Sequence, residues 1–342
     1  MTEKSERNKL LTGIAAAFIG FLSVSGAVRR LDHRRGRGRE RDLPCLPYGE
    51  AVEGIRSRDG TPLHADYCGK SGPTVFFVHG WTCDGTIFRY QKPYFSQKYR
   101  VVTLDLRGHG RSGMPENMDF HPDRLAEDLR AAVDAFDPEE FVIAGHSMGG
   151  FTTFKFHEHF GEEYRGRLKG LVIIDSTGTD LVEGLVMGRL VDLIYPRPLE
   201  SLLYLLRRES RLIKIFMALF RDSSAAYLLV RWAAFGKRPP ADEVEFQREM
   251  TFSTPVPSIA LAAKACLDYH VEYHLPNVDV PVLILVGSED ILTNARANRR
   301  TCELLPDVRL KVYEGAGHDT QLERTEEFNR DVGDFLQECF GV

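Results

Sequence analysis

The chain has 342 residues, 43% of them hydrophobic, and a net charge of −5. That is enough apolar material for one large domain with an insertion, or for two domains, and the charge balance argues against nucleic acid as a partner. The six cysteines (Cys45, Cys68, Cys83, Cys266, Cys302 and Cys339) include no Cys-x-x-Cys pair, so neither a zinc site nor a dithiol redox centre is indicated; their even number leaves disulfides open if the protein is exported.

Residues 1–50 hold ten Lys/Arg against six Asp/Glu, whereas the remainder is acidic. Within them, residues 10–28 carry no charge and are mostly apolar; as a helix they would span about 28 Å, close to the hydrocarbon thickness of a bilayer. Lys4, Arg7 and Lys9 precede this run, and seven arginines between Arg29 and Arg41 follow it. Three readings compete: a signal peptide cut after the small residues Ser25-Gly26-Ala27, an uncleaved anchor, and a peripheral or disordered tail. Arginines placed directly after an apolar run resist translocation and can lie against anionic head groups. They favour membrane association through residues 10–28, with the folded body held on the cytoplasmic side; secretion after signal cleavage is the alternative. Residues 29–47 read as a linker, so that 1–47 form one unit.

Beyond the linker, Tyr48–Ser57 and Leu63–Cys68 flank Asp59-Gly60, a strong hairpin signal. Thr74–Val78 is a buried strand ending at His79-Gly80-Trp81. A helix is expected over 85–97, then a strand at Val101–Asp105 running into Leu106-Arg107-Gly108-His109-Gly110-Arg111-Ser112. His121-Pro122 opens a helix with Leu125, Leu129, Val133 and Phe136 on one face. Phe141–Ala144 is another buried strand, followed by Gly145-His146-Ser147-Met148-Gly149 and a helix from Phe151. Further strands fall at Leu171–Asp175, Val282–Val286 and Arg309–Tyr313, and a last helix places Phe328, Val332, Phe335, Leu336 and Cys339 on one side. Strands alternating with helices predict an α/β fold, a mostly parallel sheet covered on both faces.

Residues 181–277 break this rhythm, with helical spacing (Leu199, Leu202, Leu203 and Leu206, then Ile213, Phe216, Met217 and Phe220) and no clear strand. Between two core strands this reads as a helical cap or lid over a site. Residues 181–240 hold ten Lys/Arg against five Asp/Glu. Arg207, Arg211 and Lys214 share one side, as a solvated face or as a basic lid that meets a membrane or an anionic lipid.

Gly145–Gly149 has the Gly-x-Ser-x-Gly spacing of a nucleophile elbow, a turn so tight that glycines flank the serine and present its hydroxyl above the sheet. A serine nucleophile needs a base, an acid to orient that base, and donors for an oxyanion. His318 follows the last strand in Gly317-His318, and Asp290 follows Val282–Val286 in Gly287-Ser288-Glu289-Asp290. Five motifs in the order His79-Gly80-Trp81, Asp105–Ser112, Gly145–Gly149, Gly287–Asp290 and Gly317-His318 resemble the α/β-hydrolase family over residues 48–341. The resemblance implies an eight-stranded, mostly parallel sheet built from 48–180 and 278–342, with 181–277 as the inserted cap. It implies catalytic roles for Ser147 (nucleophile), His318 (base) and Asp290 (acid), with the backbone N–H groups of Trp81 and Met148 as the oxyanion hole.

Rival positions remain. Asp175 is an alternative acid found in some relatives, and Glu289 and Asp319 are adjacent acids with weaker motif support. His109 reads as structural, and the Trp81 indole as either acyl-pocket wall or packing. His157 and His159 point apart on a helix, while His270 and His274 could face together as a packed or pocket-lining pair, so neither metal nor cofactor is expected. Relatives that open epoxides or cleave carbon–halogen bonds use Asp where this chain has Ser147. The expectation is therefore a serine esterase or lipase acting on a small-molecule ester or lipid through an acyl-enzyme. Thioesterase, C–C-bond hydrolase, aminopeptidase and cofactor-free haloperoxidase-like chemistry are alternatives on the same triad. A non-catalytic binding protein is the remaining possibility, although such members usually lack one triad residue and this chain has a candidate for each.

Overall fold

Runs of β-branched and aromatic residues buried on both faces set the architecture. In the computed structural model, which describes residues 24–34, 43–69, 72–179, 211–293 and 295–341, these runs form eight strands. They are β1 (Glu50–Val52), β2 (His64–Cys68), β3 (Thr74–Val78), β4 (Arg100–Asp105), β5 (Phe141–His146), β6 (Leu168–Ile174), β7 (Val282–Gly287) and β8 (Val308–Tyr313). One sheet holds them in the order β1-β2-β4-β3-β5-β6-β7-β8. β2 pairs antiparallel with β1 and with β4, and every other pairing is parallel. This is the α/β-hydrolase arrangement expected from the motifs.

Alternation along the strands divides the core into two layers. Phe76, Val78, Val102 and Ile143 pack under Leu125, Leu129 and Val133 of the helix Pro122–Phe136 and under Phe154 and Phe156 of the helix Met148–Phe160. Val75, Phe77, Val101 and Val142 face the other way, against Phe95 and against Phe328, Val332, Phe335 and Leu336 of the helix Thr325–Phe340. β3 and β5 are buried along their whole length, so the loops at their C-terminal ends rest on the most rigid part of the sheet.

The helix expected over 85–97 is divided into a 3-10 turn, Gly85–Phe88, and a short helix, Gln91–Phe95. Asp84 caps the turn by accepting from Thr86 N, and Gly85 N is held by the Asp105 carboxylate at 2.7 Å, which fixes the start of the turn separately from the short helix. Between β6 and β7 the described residues form the helices Arg211–Arg221, Ser224–Ala234, Ala241–Ser253 and Val256–Leu267 and a 3-10 segment, Glu272–Asn277. Residues 180–210, with the leucines 199–206 and Arg207, lie outside the described residues, as do the side chains of Arg211 and Lys214. All six cysteines are free thiols.

The N-terminal expectation is corrected. Among the described residues no helix is long and apolar enough to cross a membrane. Residues 10–23 of the apolar run lie outside the described residues, and its end continues as a helix over 24–34 that packs on protein. Asp32, 4% exposed, accepts from Arg231 Nε at 2.6 Å and Tyr227 Oη at 3.1 Å. Arg29, expected at lipid head groups, donates instead to Glu245 at 2.7 Å, and His33 lies 3.0 Å from the same carboxylate. The membrane-anchored, cytoplasmic-side reading rested on apolar length and the arginines after it; the contacts of residues 24–34 are ion pairs with the folded body, and the supposed linker is helical as far as residue 34.

Candidate functional site

β5 runs directly into Ser147, which caps the helix Met148–Phe160 at φ 52°, ψ −116°. A positive φ is sparsely allowed for a residue with a side chain and persists only where surroundings enforce it. Here Ser147 N donates to Ile174 O at 2.8 Å, and Ser147 O accepts from Gly150 N at 2.8 Å and Ser176 Oγ at 2.7 Å. A Cβ at Gly145 would collide with the Gly149 carbonyl, and one at Gly149 with the Val78 carbonyl. The two glycines are thus required by close backbone approach, and Ser147 is the part-exposed residue in an otherwise buried stretch from 141 to 150. Met148 opens the helix, where first-turn N–H groups have no intrahelical acceptor and favour an anion.

His318 lies in the loop after β8 and Asp290 in the loop after β7. His318 Nδ1 donates to Asp290 Oδ2 at 2.8 Å. The same carboxylate accepts from Leu292 N (2.8 Å), Thr293 N (3.0 Å) and Thr293 Oγ1 (2.6 Å), which fixes its orientation. Burial alone would raise the Asp290 pKa, but His318 and these hydrogen bonds hold it below its ordinary value. At His318 burial works downward, and the charges of Asp290, Asp175 and Asp319 outweigh it, raising the pKa to about 9.

Two contacts tie this pair to the elbow. His146, beside Ser147, donates from Nε2 to His318 O at 2.9 Å. A Cβ at Gly80 would lie 2.9 Å from Ser147 Cβ, so the His79-Gly80-Trp81 turn runs against the serine. His79 Nε2 accepts from Leu106 N at 3.0 Å, which leaves the proton on Nδ1 to donate to Gly80 O at 2.8 Å. Because a trans peptide sets its C=O and N–H in opposite directions, the Trp81 N–H points away from His79.

A family model described as the alpha/beta hydrolase fold matches residues 73–325. The chain belongs to the α/β-hydrolase fold family. A non-heme chloroperoxidase, CPO-A1, from Kitasatospora aureofaciens is 24% identical over 290 residues, covering 82% of this chain and 98% of that protein. Among solved structures, a thermophilic esterase from Thermogutta terrifontis superposes with a TM-score of 0.67 at 23% identity, covering 85% of this chain and 100% of that one. A membrane phospholipase A, a bacterial virulence factor, superposes with a TM-score of 0.65 at 21% identity and covers 99% of both chains. At these identities the superpositions speak for the fold. The family match makes this chain an α/β hydrolase.

In this α/β hydrolase the rival positions separate by their partners. Asp175 is fully buried, and its carboxylate accepts from Gly287 N (3.0 Å), Thr320 N (2.9 Å) and Thr320 Oγ1 (2.6 Å). It braces β7 and the segment after His318, with no hydrogen bond to the imidazole among the described residues. Glu289 faces Lys237 at 2.6 Å. His109 is buried with Nδ1 on Arg107 O at 2.9 Å. His274 pairs with His157 at 2.9 Å rather than with His270, while His159 meets Asp123 at 2.9 Å. Among the described residues no group of His, Cys, Asp and Glu is arranged to hold a metal ion. The Trp81 indole donates to Ile259 O at 2.9 Å and is 40% exposed, linking its turn to the helix Val256–Leu267.

Sequence reasoning missed two features. Ala234, at the end of the helix Ser224–Ala234, accepts on its carbonyl from both His318 N (2.8 Å) and Asp319 N (3.1 Å). A backbone acceptor has no sequence signature. Asp319 and His146 had one, since each adjoins a site residue, but their proximity is a tertiary fact.

Proposed function

We propose that the protein is a serine hydrolase cleaving carboxylic esters through an acyl-enzyme on Ser147. The observation that carries this reading is the buried His318–Asp290 pair, at 2.8 Å, in a loop hydrogen-bonded to the residue next to a strained elbow serine. In the acylation step Ser147 Oγ attacks the ester carbon while His318 Nε2 takes its proton. The tetrahedral oxyanion is stabilised by the N–H groups of Met148 and Trp81. The ester C–O bond then breaks and the proton passes from His318 to the departing alkoxide. Water, deprotonated by the same imidazole, releases the carboxylic acid and restores Ser147. Asp290 keeps the imidazole in the tautomer with Nε2 free and supports the imidazolium in both half-reactions.

Residues 181–277 act in this reading as the cap, over a core of 48–180 and 278–342, and the exposed apolar side chains of its described helices, Ile215, Leu219, Leu229 and Trp232, suit esters with lipid-like acyl chains. Thioesters would use the same groups. The test is turnover of nitrophenyl esters of increasing acyl length, an acyl-CoA and a peptidyl amide, with Ser147→Ala as control. Ester turnover lost in the variant supports the reading. A steep loss beyond short acyl chains, even in detergent micelles, removes the lipid assignment, and amide turnover without ester turnover removes the esterase one.

A further inference from the structure

The three acids around His318 are treated differently by the fold. Asp290 and Asp175 each accept several short hydrogen bonds, whereas Asp319, 1% exposed, has only loosely placed donors among the described residues, His146 Nε2 at 3.4 Å and the Gln321 side chain. A buried carboxylate so sparsely hydrogen-bonded is costly, and such a group persists where neighbouring charge offsets the cost. The groups that face it come from every side of the site. The elbow supplies His146, whose Nε2 is 3.4 Å from Asp319 Oδ1. The loop after β7 supplies Asp290, the helix Ala241–Ser253 supplies Glu243, the turn after Trp81 supplies Cys83, and its own loop supplies His318 and Glu323. Of these, His318 is the group that becomes cationic during turnover.

His146 has a matching irregularity. Its Nε2–H is directed at two acceptors of the base loop, His318 O at 2.9 Å and Asp319 Oδ1 at 3.4 Å, while its buried Nδ1 has no hydrogen-bond partner among the described residues. The residue that ends the nucleophile's strand and the residue after the base therefore touch, and the rings of His146 and His318 lie 5.2 Å apart. We propose that Asp319 and His146 form a second histidine–carboxylate pair beside the triad, in which Asp319 is a positioning residue that holds His318 in register with Ser147 and supports the charge it acquires. This rests on the assignment of Ser147, His318 and Asp290 as the triad. Two directions agree with it. Burial pushes the Asp319 pKa up to about 7, with His318 opposing and Asp290 and Glu243 adding to the rise, and Asp319 is among the charges that raise His318.

The test is the pH dependence of fluorophosphonate labelling and of nitrophenyl ester kcat and KM, for the whole chain and for Asp319→Asn. The expected result is a limb governed by His318 that moves down by about one pH unit in the variant, a tenfold loss of proton affinity. The plateau kcat should fall about tenfold with KM within twofold, and Asp319→Glu should recover the limb. A packing role alone would not move the limb. An Asp319→Asn protein with the unaltered limb and plateau overturns the proposal while leaving the triad standing. Absence of labelling in the unaltered protein, or labelling that survives Ser147→Ala, overturns the triad reading itself. Should Asp319→Asn fail to fold, His146→Gln decides in its place: a limb or plateau kcat that moves supports the proposal, and an unaltered limb and plateau contradict it.

Discussion

Ser147 is positioned by the strand and helix that adjoin it in the chain, whereas His318 is positioned by a segment more remote in sequence. The elbow consists of β5, two glycines at points of backbone contact and the first turn of a helix, with β6 supplying one carbonyl. The base loop leans on the segment between β6 and β7: Ala234 O takes two of its N–H groups, Glu323 accepts from both Gly317 N (2.6 Å) and Gly236 N (3.1 Å), and Lys237 faces Glu289 beside Asp290. The helix Ser224–Ala234 is in turn held to helix 24–34 by Asp32, and Arg231 also donates to Lys237 O at 2.9 Å. A nucleophile built locally can stay in place while its base drifts. Disturbance of the segment between β6 and β7 or of the N-terminal helix should therefore act on proton transfer and spare the elbow.

The contrast can be broken most severely at the elbow. Ser147→Ala should lower kcat by about 10⁴–10⁶, as loss of a triad nucleophile does, with little change in melting temperature. Gly149→Val should lose both activity and soluble fold, because its side chain has no space beside the Val78 carbonyl. Asp290→Asn should cost about 10⁴ in kcat by leaving His318 in the wrong tautomer, while a circular-dichroism melt still shows a folded protein.

Changes in pH sharpen the base side. In the proposed mechanism, with His318 raised to about 9 and so protonated at neutral pH, ester turnover should climb between pH 6.5 and 9. Its folded pKa exceeds the unfolded value, so the stability it contributes is present below about 6.5 and is lost as pH rises through about 9. Buried Asp319 and Glu323, raised to about 7 and about 8, lose stability in the same direction over a lower window, from about 4 up to those values. Melting temperature should therefore fall over the range in which activity rises.

The smallest effect is expected from Asp32→Asn. It weakens the pairing with Arg231, costs about 1–3 kcal/mol of stability and lowers kcat by less than tenfold, with Ser147 still reactive. An equal loss of kcat and of fluorophosphonate reactivity would mean that the N-terminal helix supports the elbow as well, and the contrast would fail.

The same division separates the parts that could be read from the sequence. Gly145–Gly149, the strand before it and the helix after it are local, and their spacing carries the geometry. The sheet was legible because β3, β5 and β7 are continuous apolar runs. The Asp290 and His318 loops could be found by motif order, yet the Ala234 carbonyl that steadies one of them could not. At the N-terminus, an uncharged run ahead of several arginines satisfied a hydropathy rule. That rule cannot register that Arg29, Asp32 and His33 meet partners about two hundred residues away, in Glu245 and Arg231.

The most direct test is to react the intact protein with a fluorophosphonate probe and locate the adduct by peptide mass mapping, with His318→Gln and Asp290→Asn as companions. One adduct is expected, on Ser147, formed more slowly by orders of magnitude in both companions. An adduct on another residue, or a Ser147 rate unchanged when His318 is replaced, would refute the triad.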